Sequence, residues 1–191
     1  MHKIIARGRL CVLADMQNEY LPKHTEGMND PEVHRFILSR PPFTVARQEE
    51  WLQKMKDTGQ YIFAILVSSD TSPEDLFFVG VMELSQVDLK KRSALSGSVI
   101  SDKAYWKRGI AREARLLQLD FAFNEIGLKF VYSKTMEPNV RSQRLLESTG
   151  YRLTGRLPKV RELDGILCDE LHYRVSRTGW MKAKKQYISS L

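Results

Sequence analysis

One segment limits the fold of this chain more than any other: Tyr105-Trp106-Lys107-Arg108-Gly109-Ile110-Ala111-Arg112-Glu113-Ala114, a basic turn with a glycine pivot. Before it, residues 94–101 form an apolar, strand-like run; after it, Ile110, Ala114, Leu117 and Phe121 recur at spacings of four, three and four, predicting an amphipathic helix over 110–126 that ends at Gly127. Gly109 lets the backbone come close to a ligand, and the first turn of the helix offers unbonded N–H groups with about half a positive charge from its dipole. Lys107 and Arg108 add charge. In physical terms this is a phosphate site, although the same residues also suit an ordinary strand-to-helix turn. GxxxxGK[ST] and GxGxxG are both absent, which excludes a Walker loop and a Rossmann fingerprint.

The remaining punctuation places this turn within an alternating chain. A strand is predicted over 9–15, a short helix behind the cap Asp30 and Pro31, and a helix from the cap Thr44 to Gly59. Strands follow over 61–68, 76–84 and 94–101, the first two separated by the polar 69–75 loop. After the long helix come a strand over 129–136, a helix from Asn139 to Gly150, and strands over 151–157 and 166–176 joined by Asp164-Gly165. The order predicts an α/β (α+β) fold, a mixed sheet of about six to seven strands flanked by about four helices. At 191 residues the expectation is one domain over 1–180 and a basic tail over 181–191 carrying Lys182, Lys184 and Lys185.

Composition excludes several classes. With 42% hydrophobic and 28% charged residues the chain is not a disordered one, and no apolar run approaches the length of a membrane span. The N-terminus lacks the apolar region of a secretory signal, so a cytoplasmic location is expected. Cys11 and Cys168 lie in apolar runs without metal spacing and are expected as buried, reduced thiols. His24, His34 and His172 are isolated in sequence, and no metal is expected. The net charge of +7 points to an anionic partner. Its basic residues are not interleaved with aromatics in any nucleic-acid motif, which ranks nucleic acid behind a phosphorylated cofactor and an acidic acceptor.

The turn over 105–114 resembles the pyrophosphate-binding loop of GNAT acetyltransferases, in particular the branch containing the ribosomal-protein N-terminal alanine acetyltransferases. That loop follows Q/R-x-x-G-x-G/A; Gly109 and Ala111 match, and Trp106 stands in the Gln or Arg position. A second block, from Glu137 to Tyr151, is similar to the family's N-x-x-S helix followed by Gly and an aromatic residue. Asp164-Gly165, Asp169 and Tyr173 resemble its closing hairpin. The resemblance runs over roughly 15–180. It implies the GNAT fold and an acetyl-CoA-dependent N-acetyltransferase in which a primary amine attacks the thioester directly in a ternary complex. The acceptor it implies is a protein N-terminus. The alternatives are a small-molecule or nucleotide-sugar amine, or a degenerate acyl-CoA-binding module. Relatives often form homodimers, so that assembly is among the expectations.

The resemblance also assigns residues. Backbone groups of Val99, Ile100 and Ser101 would hold the pantetheine, and the N–H groups of Lys107, Arg108, Gly109, Ile110 and Ala111 the pyrophosphate. Asn139 would contact the cofactor, cap its helix, or do both. The tyrosine acid of many relatives falls on Leu146, and Ser142 matches the serine assigned that role in the ribosomal branch; a cap-region hydroxyl is its other reading. The family's glutamate base falls on Arg161, leaving Glu162 one place away and Glu83 on a central strand as candidates. A shift of one in a strand reverses the side chain, so Glu162 could serve only through a bulge or an irregular loop.

Overall fold

The apolar run Tyr61-Ile62-Phe63-Ala64-Ile65-Leu66-Val67 has no polar face, and a strand of that kind must be covered on both sides. A computed structural model describes residues 3–37, 39–69 and 74–190 and places this run inside a sheet. Met1, His2, Leu38, residues 70–73 of the polar loop and Leu191 lie outside the described residues. In chain order the elements are β1 (Ile4–Arg7), β2 (Val12–Asp15), α1 (Leu21–Met28), α2 (Pro31–His34), α3 (Val45–Asp57), β3 (Tyr61–Ser68), β4 (Leu76–Asp88) and β5 (Ser93–Ile100). Then follow α4 (Ile110–Asp120), β6 (Phe130–Met136), α5 (Val140–Ser148), β7 (Arg152–Leu163), β8 (Ile166–Ser176) and α6 (Arg177–Ile188).

The sheet is mixed and has eight strands in the order β1-β2-β3-β4-β5-β6-β8-β7. β1 to β4 pair antiparallel in sequence, β5 and β6 pair parallel, and β8 pairs antiparallel with both β6 and β7. The α/β class expected from the sequence holds, with more elements than expected. The extra strand is β1, whose Ile4-Ile5-Ala6 is too short to show a period. The extra helices are α1, whose Pro22 occupies the first turn, and α6.

The chain divides into two compact units, one formed by residues up to Ser85 with Gly97–Gln118, the other by Gln86–Ser96 with residues from Leu119 onward. In the first, Leu21 of α1 and Leu52 of α3 pack on Ile62, Ala64, Leu66 and Val81 of the sheet. Thr44 caps α3 by accepting the Arg47 N–H at 3.2 Å. His24 of α1 is buried between the rings of Trp51 and Phe78, and its Nδ1 has no hydrogen-bond partner among the described residues.

Burial lowers the His24 pKa to about 4, against 6.5 when solvated. The unfolded chain therefore takes up a proton near pH 6.5 that the folded chain refuses until about pH 4. Stability from this group is complete above pH 6.5 and is lost as pH falls, at about 1.4 kcal/mol per unit. Between pH 7 and pH 5 the loss amounts to about 2 kcal/mol. His24→Leu should remove that part of the acid slope in urea titrations at the two pH values; equal slopes in parent and variant would contradict the assignment.

In the second unit, α4 widens at its end into a π-helical turn over Phe121–Glu125, and Phe123 meets Trp180 of α6 with ring centroids 5.5 Å apart. Lys184 pairs with Asp120 at 2.6 Å. The segment expected as a basic tail is thus largely helical, because Trp180 and Ala183 give it a buried face. The β7–β8 hairpin turns on Asp164 and Gly165, both at positive φ (53° and 81°), as a two-residue hairpin turn requires.

Candidate active site

The first unit holds the basic turn. After β5 a single 3₁₀ turn over Lys103–Tyr105 leads into an extended Trp106. Lys107 (φ 63°) and Gly109 (φ 81°) then both adopt the left-handed conformation immediately before α4. Residues of alternating hand can turn successive N–H groups toward one side, an arrangement suited to an anion. The opening N–H groups of α4 have no intrahelical carbonyl to bond. Lys107, Arg108 and Gly109 are exposed, Ala111 is half-buried and Ile110 is anchored in the core. Arg108 lies over the Tyr105 ring at 5.2 Å.

Trp106 explains how the turn is held without Gln or Arg. Its Nε1–H donates to the Ile100 carbonyl at 2.9 Å, and its ring packs against Met28, Val33 and Phe43. Of the expected pantetheine residues, Val99 and Ile100 are half-buried, and Val99 packs on the same apolar cluster. Ser101 is buried, and its N–H donates to the Val79 carbonyl at 3.0 Å.

A residue with no signal of its own in the sequence anchors this region. Glu113, buried in the first turn of α4, accepts backbone N–H groups from Arg9 at 3.0 Å, Leu10 at 2.6 Å and Cys11 at 2.9 Å. Its charge is matched by these three donors and by the helix dipole. The turn before β2 is thereby held against the start of α4, and a Cβ on Gly109 would lie 3.2 Å from Leu10 Cδ1. Cys11 is buried, and desolvation together with the Glu113 charge pushes its thiol far above the ordinary range, which disfavours the thiolate a nucleophile needs.

Glu83 sits on β4 in register with Ile62. Burial raises its pKa, while a hydrogen bond to Ser85 and the charge of Arg115 oppose the rise. Gly97 makes room for it, since a Cβ there would fall 2.9 Å from Glu83 Oε1. Arg115 is held by Gln118 and Ser98 at 3.0 and 2.8 Å. Glu83 is therefore a half-buried carboxyl with raised proton affinity, the property expected of a proton acceptor.

In the second unit Asn139 caps α5, its Oδ1 accepting the Ser142 N–H at 3.2 Å. The Ser142 hydroxyl has no hydrogen-bond partner among the described residues and is free to donate elsewhere. Leu146 is fully buried in the core. Glu162 pairs with Leu167 near the hairpin turn and is exposed. The register of β7 does slip between Leu157 and Arg161, where Lys159 takes φ 51°. Beyond the slip, however, Arg161 opposes buried Cys168, and Glu162 points the other way.

The parallel pairs of β5 and β6 run from Ser93 opposite Phe130 to Leu95 opposite Tyr132. At the next position side chains take over: Ser96 Oγ donates to the Tyr132 carbonyl and Ser133 Oγ to the Ser96 carbonyl, both at 3.0 Å. The paired positions of β5 and β6 thus end at Leu95 and Tyr132, and serine hydroxyls tie the strands beyond them. A cavity of about 200 Å³ opens here, lined by residues that include Ser93, Leu95, Tyr132, Lys134 and His172. Among the described residues no group of three or more His, Cys, Asp or Glu is placed to hold a metal ion, and no helix is long and apolar enough to cross a membrane.

Comparison with known proteins agrees with this geometry. Vibrio cholerae spermidine N-acetyltransferase, solved with CoA and spermine, superposes with a TM-score of 0.78 at 19% identity, over 91% of this chain and 99% of that one. A GCN5-related N-acetyltransferase from Brucella melitensis superposes with a TM-score of 0.76 at 21% identity, over 99% of this chain and 85% of that one. At these identities the likeness is one of fold. By sequence, the probable N-acetyltransferase YjcK of Bacillus subtilis (strain 168) is 30% identical over 155 residues, 78% of this chain and 81% of that protein. The family profile described as an acetyltransferase (GNAT) domain matches residues 11–152, and the chain accordingly belongs to the GNAT family of N-acetyltransferases.

Proposed function

We propose that this N-acetyltransferase transfers the acetyl group of acetyl-CoA to the N-terminal amine of a protein, in the manner of the ribosomal-protein branch. The observation that carries the acceptor class is the exposed strand face of the second unit. Register places Tyr132 opposite Arg174, Lys134 opposite His172, and Arg174 opposite Arg152. Three permanent cations thus share a face with one carboxylate, Glu170, which already pairs with Lys134 at 3.2 Å. Such a face repels a polycation such as spermidine and suits an amine flanked by carboxylates. The net charge of +7 acts in the same direction.

Acetyl-CoA supplies an activated acyl group on a thiol leaving group. In this reading the Lys107–Ala111 backbone and the Lys107 and Arg108 charges hold its pyrophosphate, and Val99, Ile100, Ser101 and Asn139 contact its pantetheine. Ser142 donates a hydrogen bond to the departing thiolate, the task that Leu146 cannot perform. The thiol's reference pKa of about 8.5 means that only modest help is needed. Ser142→Ala should lower turnover about ten- to a hundredfold, or about 1.4–2.7 kcal/mol of barrier, with CoA affinity nearly intact. Thermal melts must accompany the rates, since Ser142 lies in the first turn of α5. A folded variant turning over at the parent rate would remove Ser142 from the mechanism.

The acceptor class is tested by competition between an acidic peptide beginning with alanine and spermidine. At least a tenfold advantage in kcat/KM for the peptide is expected, narrowing as salt rises. Preference for spermidine would overturn the acceptor assignment and leave acetyl transfer standing.

A further inference from the structure

His172 is isolated in sequence but not in space. On β8 it lies two residues from Glu170, and a strand places such a pair on one face. Its Nε2 is 2.6 Å from Glu170 Oε1, and Lys134 Nζ approaches the same oxygen at 3.2 Å. Burial works to raise the Glu170 pKa, but the His172 and Lys134 contacts outweigh it and hold the carboxyl below its ordinary value. An ionised carboxylate can only accept, so Nε2 carries a hydrogen, and in the neutral ring Nδ1 holds the lone pair. Nδ1 has no hydrogen-bond partner among the described residues. His172 also lines the 200 Å³ cavity with Ser93, Leu95, Tyr132 and Lys134, where the β5–β6 ladder gives way to serine hydroxyls. A carboxylate-oriented imidazole with one open nitrogen beside a cavity is the arrangement of a general base.

We propose that the acceptor amine enters this cavity and that His172 Nδ1 takes its proton, with Glu170 as the positioning residue that fixes the tautomer. The inference rests on the acetyl-transfer reading and names the proton acceptor within it, in place of Glu83 or Glu162. The ammonium loses one proton to Nδ1, which passes it to solvent. The nitrogen lone pair then forms the C–N bond to the acetyl carbon as the C–S bond breaks and its electrons leave on sulfur. The second nitrogen proton departs by the same route, and the thiolate is protonated. The titratable and charged groups on the adjoining strands are Tyr132 and Lys134 on β6, Arg174 on β8 beside Glu170, and Arg152 and Arg156 on β7.

The test uses the full chain with acetyl-CoA and three amines: an alanine-leading peptide, spermidine and glucosamine. With whichever amine the parent acetylates, His172→Ala should reduce kcat/KM about a hundredfold at pH 6.5, and Glu170→Gln about tenfold. The His172→Ala loss should shrink as pH nears the amine's own pKa and should be partly reversed by free imidazole. CoA affinity by calorimetry should not change, and the His172 ring resonance of the parent should shift when the amine is added without acetyl-CoA. Folded variants within twofold of the parent at pH 6.5 would overturn the proposal. So would a loss that neither pH nor imidazole relieves, which marks a structural role. A parent that releases thiol with none of the three amines would remove the acetyl-transfer reading itself, and this inference with it.

Discussion

Replacing Gly109 by Val is expected to weaken CoA binding about a hundredfold or more in a protein that still folds. Two costs add. Gly109 sits at φ 81°, a conformation that a β-branched residue adopts only under strain of roughly 1–3 kcal/mol. A Cβ there also lies 3.2 Å from Leu10 Cδ1, and Leu10 cannot retreat freely because its N–H is held by Glu113 at 2.6 Å. The backbone would relieve both costs by rotating Gly109 out of the left-handed region, which turns the N–H groups of the turn away from the position proposed for the pyrophosphate. Since the turn is exposed, the strain falls on binding more than on folding. Calorimetry with CoA checks the affinity and circular dichroism checks the fold. Unchanged affinity in a folded variant would remove the turn from the cofactor site.

Glu113→Ala should be the most destabilising single change in the same region. It leaves the N–H groups of Arg9, Leu10 and Cys11 without their acceptor, and Cys11 lies where water cannot replace it. At about 1 kcal/mol or more for each orphaned donor, the loss is about 3 kcal/mol at least. For a chain of this size that lowers the melting temperature by roughly 6–12 °C. CoA affinity should fall with it, because the turn carrying Leu10 no longer braces Gly109. Glu113→Gln should lie between, since an amide offers a single acceptor oxygen where the carboxylate offers two. A melting temperature unchanged in Glu113→Ala would show that the three hydrogen bonds contribute nothing net.

The difference between Glu113 and Gly109 shows which parts of the site a sequence can announce. The role proposed for Gly109 is legible because its signal is local: strand, basic turn, glycine and amphipathic helix follow one another within a few residues. Glu113 is one carboxylate among 23 acidic residues, and its partners lie more than a hundred positions away. A first-turn glutamate reads equally well as a favourable helix charge. His172 is hidden for a related reason. Its partner Glu170 is close in sequence, but the cavity beside it depends on β5 and β6 being brought together across the intervening helix.

The fold shows the same division. Runs with strong period or buried character, such as β3 and β8, have the boundaries that the pattern predicts. β1 is four residues long, too short for a period to emerge, and it becomes a strand by pairing with β2. α6 is rich in lysine and looks like a solvated tail until Trp180 finds Phe123. For Glu162 the sequence names the condition, a bulge or an irregular loop, and β7 does contain a register slip. The slip lies before Arg161, and Glu162 remains on the exposed side.

The central claim is that this chain catalyses acetyl transfer from acetyl-CoA to an amine, and thiol release measures it directly. With acetyl-CoA and a panel containing an alanine-leading acidic peptide, spermidine and an amino sugar, the account predicts release that depends on an amine, greatest with the peptide, and stoichiometric with acetylated product by mass. A folded protein that binds CoA yet releases no thiol with any amine of the panel would contradict it.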